Sequence, residues 1–240
     1  MVAAKPPHLL SVEERKKTVP LSDLLIDIGY KAEQARELVS VGDLITIRRT
    51  MQELQGDWLA GKAMDDRAGV LVMFECLQEL KKLHHAADVY AVATVQEEVG
   101  CRGALTSAYG INPQIGIAID VCHGRMPGVA DYDASPIGGG PAVAMGPNIH
   151  PKVYALLKKV AAENSIPISP EPAPGATGTD AWTMQNAQAG VATGVVSIPL
   201  RYMHTAVETL SYSDVRQSGK LLAYFIAAID SAFVEGLTCY

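Results

Sequence analysis

Two adjacent glutamates, Glu97 and Glu98, follow the apolar run Val89–Val95 and lie just before a glycine. The run is rich in valine and small apolar residues, which predicts a buried strand. Neighbouring side chains of a strand point to opposite sides, so we expect the two carboxylates to reach different targets, one holding a metal ion and the other handling a proton. A solvated pair at a strand end is the alternative that composition alone favours, because glutamate is rarely buried.

Three further candidate residues lie at the ends of other predicted elements. Asp65 precedes a helix whose apolar residues recur at helical spacing. Asp120 lies at the end of a short apolar strand. His204 follows a third apolar strand. In an open α/β sheet the ligand crevice lies outside the carboxyl ends of the strands. We therefore expect these three side chains to converge with Glu98.

The residue types in this set suit a metal site. Carboxylates and imidazoles are ligands of zinc, cobalt and manganese, and one aspartate can bridge two such ions. Each residue also has a structural alternative: Asp65 could cap its helix, Asp120 could be an acid in a turn, and His204 could be a hydrogen-bonded core histidine. Their shared position at one edge of one sheet favours the metal site.

The order of the predicted elements indicates the fold class. From Gly61 onward strands alternate with helices, which predicts an α/β protein with a largely parallel sheet covered by helices on both faces. The elements are the helix after Asp65, the strands Val89–Val95, Gly116–Val121 and Gly194–Ile198, the helix Pro151–Glu163, and a C-terminal helix capped by Ser213 and Asp214 that runs to about Val234.

The first 50 to 60 residues have a different pattern. Short strand-like runs at Leu24–Ile28 and Leu44–Ile47 lie among prolines and glycines, with one short helix predicted around Ala32–Val39. This pattern is typical of part of a small β-rich module. The sequence therefore predicts two unequal domains.

Composition excludes several classes of protein. The chain has 240 residues, is 48% apolar and carries a net charge of −6, so it can bury a large core and has no basic stripe for nucleic acid. No apolar run reaches the length of a membrane span, and the first residues lack the pattern of a secretory signal. The four cysteines share no short spacing, which indicates neither a zinc site nor a disulfide framework and favours the reducing cytoplasm.

Six motifs occur in order along nearly the whole chain. They are AKPPHLL at Ala4–Leu10, GKAMDDRAG at Gly61–Gly69, VQEEVGCRGA at Val95–Ala104, AIDV at Ala118–Val121, TGTDA at Thr177–Ala181 and IPLRYMHT at Ile198–Thr205. Together they resemble the co-catalytic metallo-aminopeptidases of the glutamyl and deblocking type, which include the tetrahedral aminopeptidases. The resemblance implies a three-layer α/β/α catalytic domain with a mostly parallel mixed sheet over residues 56–240. It also implies that residues 1–55 are the remnant of an inserted, barrel-like, β-rich dimerisation domain.

The resemblance assigns roles to the candidate site residues. Asp65 would bridge two divalent metal ions, zinc or cobalt, while Glu98 and His204 would complete one of the two metal sites. Asp120 would belong to the other site. Glu97 would be the general base that activates the attacking water.

Three more residues are implied to lie in or beside the substrate pocket, namely Thr179, Asp180 and Arg201. Arg201 is equally suited to a structural ion pair. The implied activity is hydrolysis of the N-terminal residue from peptide substrates by a homo-oligomer, since family members form dimers and dodecamers.

One part of the family pattern has no match. Family members carry an upstream H-x-D motif whose histidine is the remaining ligand of the metal shared with Asp120, and the motif does not occur in this sequence. We therefore expect the chain to begin inside the inserted domain and its metal occupancy to be nearer one than two. His123 is expected in a surface or loop position, although it is close enough to Asp120 in sequence to be tested by mutation. The other histidines outside the set are expected in surface or loop positions: His8, His84, His85 and His150.

Two alternative functions remain open at this point. One is a different two-metal hydrolase of the same architecture, such as a deacylase or a carboxypeptidase. The other is a catalytically lapsed homologue that assembles with a full-length partner. A glycosidase is disfavoured, because its two carboxylates must face one cleft at least about 5 Å apart, whereas Glu97 and Glu98 are neighbours on one backbone.

Overall fold

The computed structural model describes residues 2–237, and the chain divides into two compact units, Met1–Arg48 and Arg49–Tyr240. The first unit contains an antiparallel pair, β1 (Val2–Ala3) and β2 (Leu25–Ile26), a helix, α1 (Ala32–Leu38), and three short 3₁₀ helices. None of the side chains described in this unit is buried, and residues 44–47 form no strand. The expected β-rich character is therefore not clearly shown, because so short a pair of strands buries too little surface to build a barrel.

The second unit contains a seven-stranded sheet and its helices. The strands are β3 (Gln52–Glu53), β4 (Trp58–Gly61), β5 (Ile115–His123), β6 (Ala142–Met145), β7 (Ser169–Pro172), β8 (Ala192–Arg201) and β9 (Glu208–Ser211). The helices are α2 (Met64–Leu80), α3 (Arg102–Ile111), α4 (Pro151–Glu163), α5 (Ala181–Met184), α6 (Tyr212–Ala227) and α7 (Ser231–Glu235). The predicted helix at 151–163 and the strands at 116–121 and 194–198 are confirmed.

The sheet is mixed. Its order is β3-β4-β9-β8-β6-β7, with β5 beside β8. Strands β5 and β8 run parallel, as do β6 and β7, whereas β3–β4, β4–β9, β8–β9 and β6–β8 are antiparallel. The α/β class is confirmed, with fewer parallel pairs than the element order predicts. One reason is the six-residue connection between β8 and β9, which is too short for the crossover that a parallel pair needs.

Both faces of the sheet are covered. In β8, Val196 joins an apolar cluster with α2, α4 and α6, whereas its neighbour Val195 joins a cluster with α5. Ile117 and Ala118 of β5 divide in the same way. Since neighbouring side chains of a strand point to opposite faces, the sheet is the middle of three layers. Among the described helices, none combines the length and apolarity that crossing a membrane would require.

The segment Val89–Val95 is not a strand of the sheet. Within residues 2–237, its only backbone–backbone hydrogen bond is the one that the Val95 carbonyl accepts from the Gly103 N–H at 2.9 Å. Tyr90 and Val95 are 67% and 66% exposed. The apolar pattern predicts extended backbone, but a strand also needs a partner, and among the described residues this segment pairs with no strand.

The C-terminal helix is shorter than predicted and has a different cap. It ends at Ala227, and the shorter α7 follows it. Ser211, not Ser213 or Asp214, is the N-cap, since its hydroxyl accepts from the Ser213 N–H at 3.2 Å. The buried Asp214 carboxylate is instead occupied by the N–H groups of Gly138 and Gly140, at 2.7 and 2.8 Å.

Candidate metal centre

Asp65, Glu98 and His204 meet at one end of the sheet. The His204 Nε2 atom lies 3.1 Å from Asp65 Oδ2 and 3.5 Å from Glu98 Oε2. The Asp65 side chain is 9% exposed, whereas those of His204 and Glu98 are 65% and 58% exposed. We call these three residues the histidine group. Residues that lie far apart in sequence are thus brought together, with one side open to solvent.

Asp66, and not Asp65, caps the regular part of α2, because non-helical backbone at Asp65 and Asp66 interrupts the first turn of Met64–Leu80. Its Oδ1 atom accepts a hydrogen bond from the Gly69 N–H at 2.9 Å, as the carboxylate of an N-cap aspartate does. A β-carbon at position 69 would collide with the same carboxylate, so glycine allows this approach. The capping role that Asp65 could have had belongs to its neighbour, and the Asp65 side chain is left facing His204.

The turn that carries Glu97 and Glu98 is fixed by its own backbone and by α5. The Glu97 carbonyl accepts from the N–H groups three and four residues further on, each at 2.9 Å. The Thr183 hydroxyl donates to the Cys101 carbonyl at 3.2 Å. The two glutamate side chains diverge, as predicted: Glu98 reaches His204, and Glu97 reaches Cys101.

Glu97 belongs to a second set of donor atoms, with Cys101 and Asp180, which we call the thiol group. The Cys101 thiol donates to Glu97 Oε1 at 3.5 Å. Asp180 Oδ2 accepts from the Thr94 hydroxyl at 2.7 Å, while Asp180 Oδ1 is buried with no hydrogen-bond partner among the described residues. Asp120 lies close enough to Glu97 and Asp180 for their charges to act on it.

Burial and mutual repulsion raise the pKa values of these carboxyl groups. Burial, and then the neighbouring carboxylates, raise the pKa of Asp66 to about 9 and that of Asp120 to about 8. The pKa values of Asp65 and Glu97 are raised for the same reasons, with burial the larger cause. Burial also raises the pKa of the Cys101 thiol, to about 12, so this thiol stays protonated. The carboxyl groups at this end of the sheet therefore cannot all be ionised at neutral pH unless a cation is bound.

A third acid at the histidine group, Glu208, is not among the residues that the sequence patterns singled out. It is the first residue of β9 and only 2% exposed. Its Oε2 atom accepts from the Met64 and Asp65 N–H groups at 2.6 and 3.2 Å, and its Oε1 atom accepts from the His204 N–H at 2.9 Å. The available signal was an acid four residues after His204, at the start of a short strand.

The expected pocket residues make mainly structural contacts. The buried Thr179 hydroxyl lies 2.9 Å from that of Thr177 and accepts from the Ala181 N–H at 3.3 Å. The Arg201 guanidinium lies 4.9 Å from the centre of the Trp58 ring, and its Nε donates to the Arg125 carbonyl at 2.6 Å. Of the three pocket candidates, Asp180 is the one that belongs to a group of chemical donors.

The remaining histidines lie apart from both groups. His150 caps α4, because its Nδ1 accepts from the Lys152 N–H at 3.2 Å while its Nε2 contacts the Leu237 carbonyl at 3.0 Å. His123 is exposed and, among the described residues, joins neither donor group. His8, His84 and His85 are exposed. The cysteines Cys76, Cys101 and Cys122 are free and buried, and Cys239 lies outside the described residues.

The histidine group has the donor types and spacing that a divalent metal ion requires. Around a tetrahedral zinc ion with bonds of about 2.0–2.2 Å, neighbouring ligand atoms lie about 3.3–3.6 Å apart. The two His204 separations, 3.1 and 3.5 Å, are close to this range. The unpartnered Asp180 oxygen and the raised carboxyl pKa values indicate that the same region lacks positive charge. The residues therefore fit a divalent metal ion.

Comparison with known families gives the class of protein. The family model of the M42 glutamyl aminopeptidases matches residues 1–221. The chain belongs to this family, whose members are metal-dependent peptidases. The resemblance drawn from the six sequence motifs is confirmed.

Individual relatives agree with this assignment. A lysyl aminopeptidase from Pyrococcus furiosus is 37% identical over 92% of this chain, and the chain spans 64% of that protein's length. The solved structure of a TET aminopeptidase from the marine sediment archaeon Thaumarchaeota archaeon SCGC AB-539-E09 is 35% identical, covers 99% of this chain and 69% of its own, and superposes with a TM-score of 0.91. The TET1 peptidase of Pyrococcus horikoshii, which can assemble into a tetrahedron or a large octahedral shell, is 31% identical over 94% of this chain and 67% of its own, with a TM-score of 0.78.

Proposed function

We propose that the protein is a metal-dependent aminopeptidase that removes N-terminal residues from peptides. The observation that carries this proposal is the histidine group, with Glu97 placed on the adjoining turn. Asp65, Glu98 and His204 would hold a divalent ion, zinc or cobalt, and Asp120 would serve a second ion that Asp65 shares. A bound ion of this kind supplies Lewis acidity that polarises a carbonyl and lowers the pKa of water.

Glu97 is the general base in this proposal. It takes a proton from the attacking water and passes it to the leaving amine. Burial raises its pKa, which makes its carboxylate a better proton acceptor near neutral pH. The Cys101 thiol, donating at 3.5 Å, and the fixed backbone turn hold that carboxylate outside the histidine group but close enough for the charges of Asp65 and Glu98 to act on it.

The half-buried acids next to Glu97 would select substrates with a free N-terminus. Asp120 and Asp180 supply acceptor oxygens to a cationic or neutral α-amino group, and the unpartnered Asp180 Oδ1 is the oxygen that gains most from such a donor. Thr179 would hold the loop that presents Asp180. Arg201 would support the β8–β9 connection through Trp58.

Domain roles, assembly and compartment complete the proposal. Residues 56–240 form the catalytic domain, and residues 1–55 are part of an inserted dimerisation domain. The relationship to the Pyrococcus horikoshii TET1 peptidase supports a homo-oligomer. The buried free thiols of Cys76, Cys101 and Cys122 support a cytoplasmic location.

One observation favours a second candidate function. Among the described residues, no histidine accompanies Asp120, so the second metal site has only acids. A lapsed homologue that acts as an assembly subunit would need no such histidine.

A matched pair of substrates tests the proposal. The same peptide would be offered with a free and with an acetylated N-terminus, each with added zinc or cobalt and again after chelation. We expect metal-dependent release of the first residue from the free peptide alone. Turnover of the acetylated peptide would indicate a deacylase, and no turnover despite metal binding would favour the lapsed homologue. A series of N-terminal residues in the free peptide would then define the preference.

A further inference from the structure

One buried carboxylate joins the backbones of two members of the histidine group. Glu208 accepts from the N–H groups of Met64 and Asp65 with one oxygen, and from the N–H of His204 with the other. The groups it joins are separated by about 140 residues in sequence, and its side chain is almost fully buried. It touches neither the Asp65 carboxylate nor the His204 ring through these bonds.

The position of Glu208 in the sheet explains why it contacts the backbones of both connections. It begins β9, where it pairs with Gly61 at the end of β4. Because β4 and β9 are antiparallel, the Lys62–Asp65 connection leaves β4 at the same end of the pair at which the His204 loop enters β9. Both connections meet at this residue because the two strands are neighbours.

Each connection contains a residue in the left-handed region of backbone conformation, which is unfavourable for residues other than glycine. Ala63 has a φ of +53° and His204 a φ of +62°, a left-handed region that costs free energy for residues other than glycine. The three N–H groups lie beside these strained positions, and leaving them unpaired in a buried place would add to that cost. One carboxylate satisfies all three.

We propose that Glu208 is a positioning residue that sets the separation of the Asp65 and His204 side chains for metal binding. This rests on the metal site of the proposed function. Because each of its oxygens holds one of the two connections, Glu208 fixes the position of the Lys62–Asp65 connection relative to the β8–β9 loop. A glutamine in its place keeps one acceptor oxygen and turns an NH₂ group toward the remaining donors, so it can hold one of the two backbones but not both.

The test compares Glu208→Gln with the matched control Asp214→Asn. Asp214 is also buried and also accepts from two backbone N–H groups, but it belongs to neither donor group. Zinc titration calorimetry would be done on both variants and on the unchanged chain. Removal of outer partners of metal ligands typically weakens metal binding about 10–100-fold. We expect a loss of this size in Glu208→Gln and unchanged zinc affinity in Asp214→Asn.

Amide hydrogen exchange gives a readout that does not need metal. In the metal-free protein we expect faster exchange in Glu208→Gln, and not in Asp214→Asn, at the N–H groups of at least one of the two connections, Met64 with Asp65 or His204. Unchanged protection there, or equal loss of zinc affinity in both variants, would overturn the proposal. If the unchanged chain binds no zinc, the proposed metal site fails, while the exchange result still decides whether Glu208 holds the two connections.

A second variant covers the case in which Glu208→Gln does not fold. Glu208→Asp keeps the charge but withdraws the carboxylate by one methylene, so it should also weaken zinc binding and expose one of the two connections to exchange. Full zinc affinity in Glu208→Asp would assign the effect to charge alone and would contradict the positioning role.

Discussion

The histidine group and the thiol group use the same kind of acid in different surroundings. In the histidine group an imidazole stands between two carboxylates, and the side chains of His204 and Glu98 are largely exposed. In the thiol group the acids have a protonated thiol and a hydroxyl as partners, and one Asp180 oxygen has no hydrogen-bond partner among the described residues. Both groups contain aspartate and glutamate, so residue type does not distinguish them. Their burial and hydrogen-bond partners distinguish a carboxylate suited to binding a metal ion from one suited to accepting a proton.

The largest expected effect separates the two groups by chemistry. Glu97→Gln keeps the shape of the side chain but removes its ability to take a proton, and loss of a general base typically costs about 10²–10⁴-fold in rate. We expect that loss in peptide turnover, with zinc affinity unchanged because Glu97 lies in the thiol group. Glu98→Gln is the matched control, and it should weaken zinc binding itself. Metal-dependent turnover that survives Glu97→Gln would contradict the assignment of the base.

The next effect concerns which group binds the first ion. His204→Ala removes the only imidazole of the histidine group, so we expect zinc affinity to fall by at least the roughly 100-fold that outer partners can cost. Asp120→Asn should leave the first ion in place. Calorimetry measures both, and anomalous scattering at the zinc edge should give an occupancy nearer one ion than two. Two fully occupied sites would contradict this expectation and would make His123 a candidate ligand of the second ion.

A smaller effect measures what burial alone does to a carboxylate. Burial raises the pKa of Asp214 from 3.8 to about 6, although the Gly138 and Gly140 N–H groups oppose the change. Because the pKa of Asp214 is raised in the folded state, protonation of this carboxyl group stabilises the fold. The stabilisation is complete below about pH 4 and is lost as the pH rises through 6. The unchanged chain should therefore lose about 1–3 kcal/mol over this interval relative to Asp214→Asn. Urea unfolding at several pH values measures this, and a gap that does not change with pH would contradict it.

The smallest effect tests Arg201. A cation over an aromatic ring at an exposed site contributes about 0.5–1 kcal/mol, so Arg201→Ala should lower the free energy of unfolding by about that amount and leave the KM for peptides unchanged. Arg216→Ala, which removes a similar contact with Tyr212, is the control for stability. A raised KM in Arg201→Ala alone would make Arg201 a substrate contact.

Local patterns predicted the elements that depend on local interactions. The proline at its first position and its apolar spacing define the helix Pro151–Glu163, and continuous apolar runs define β5 and β8. The segment Val89–Val95 has an equally clear pattern, yet it lies outside the sheet. A strand requires a partner edge as well as a pattern, and the partner is not encoded in the segment itself.

The sequence by itself determined the chemistry of the site: the pair of glutamates on one turn, the acids and the histidine at element ends, and the motifs that identify the family. Only the tertiary structure decided which acid does what. Asp66 caps the helix and leaves Asp65 facing His204, and Glu208 joins their backbones. The physical reason is distance along the chain, since spacing and propensity act over a few residues, whereas hydrogen bonds such as those of Glu208 form between groups that only the packed sheet makes neighbours.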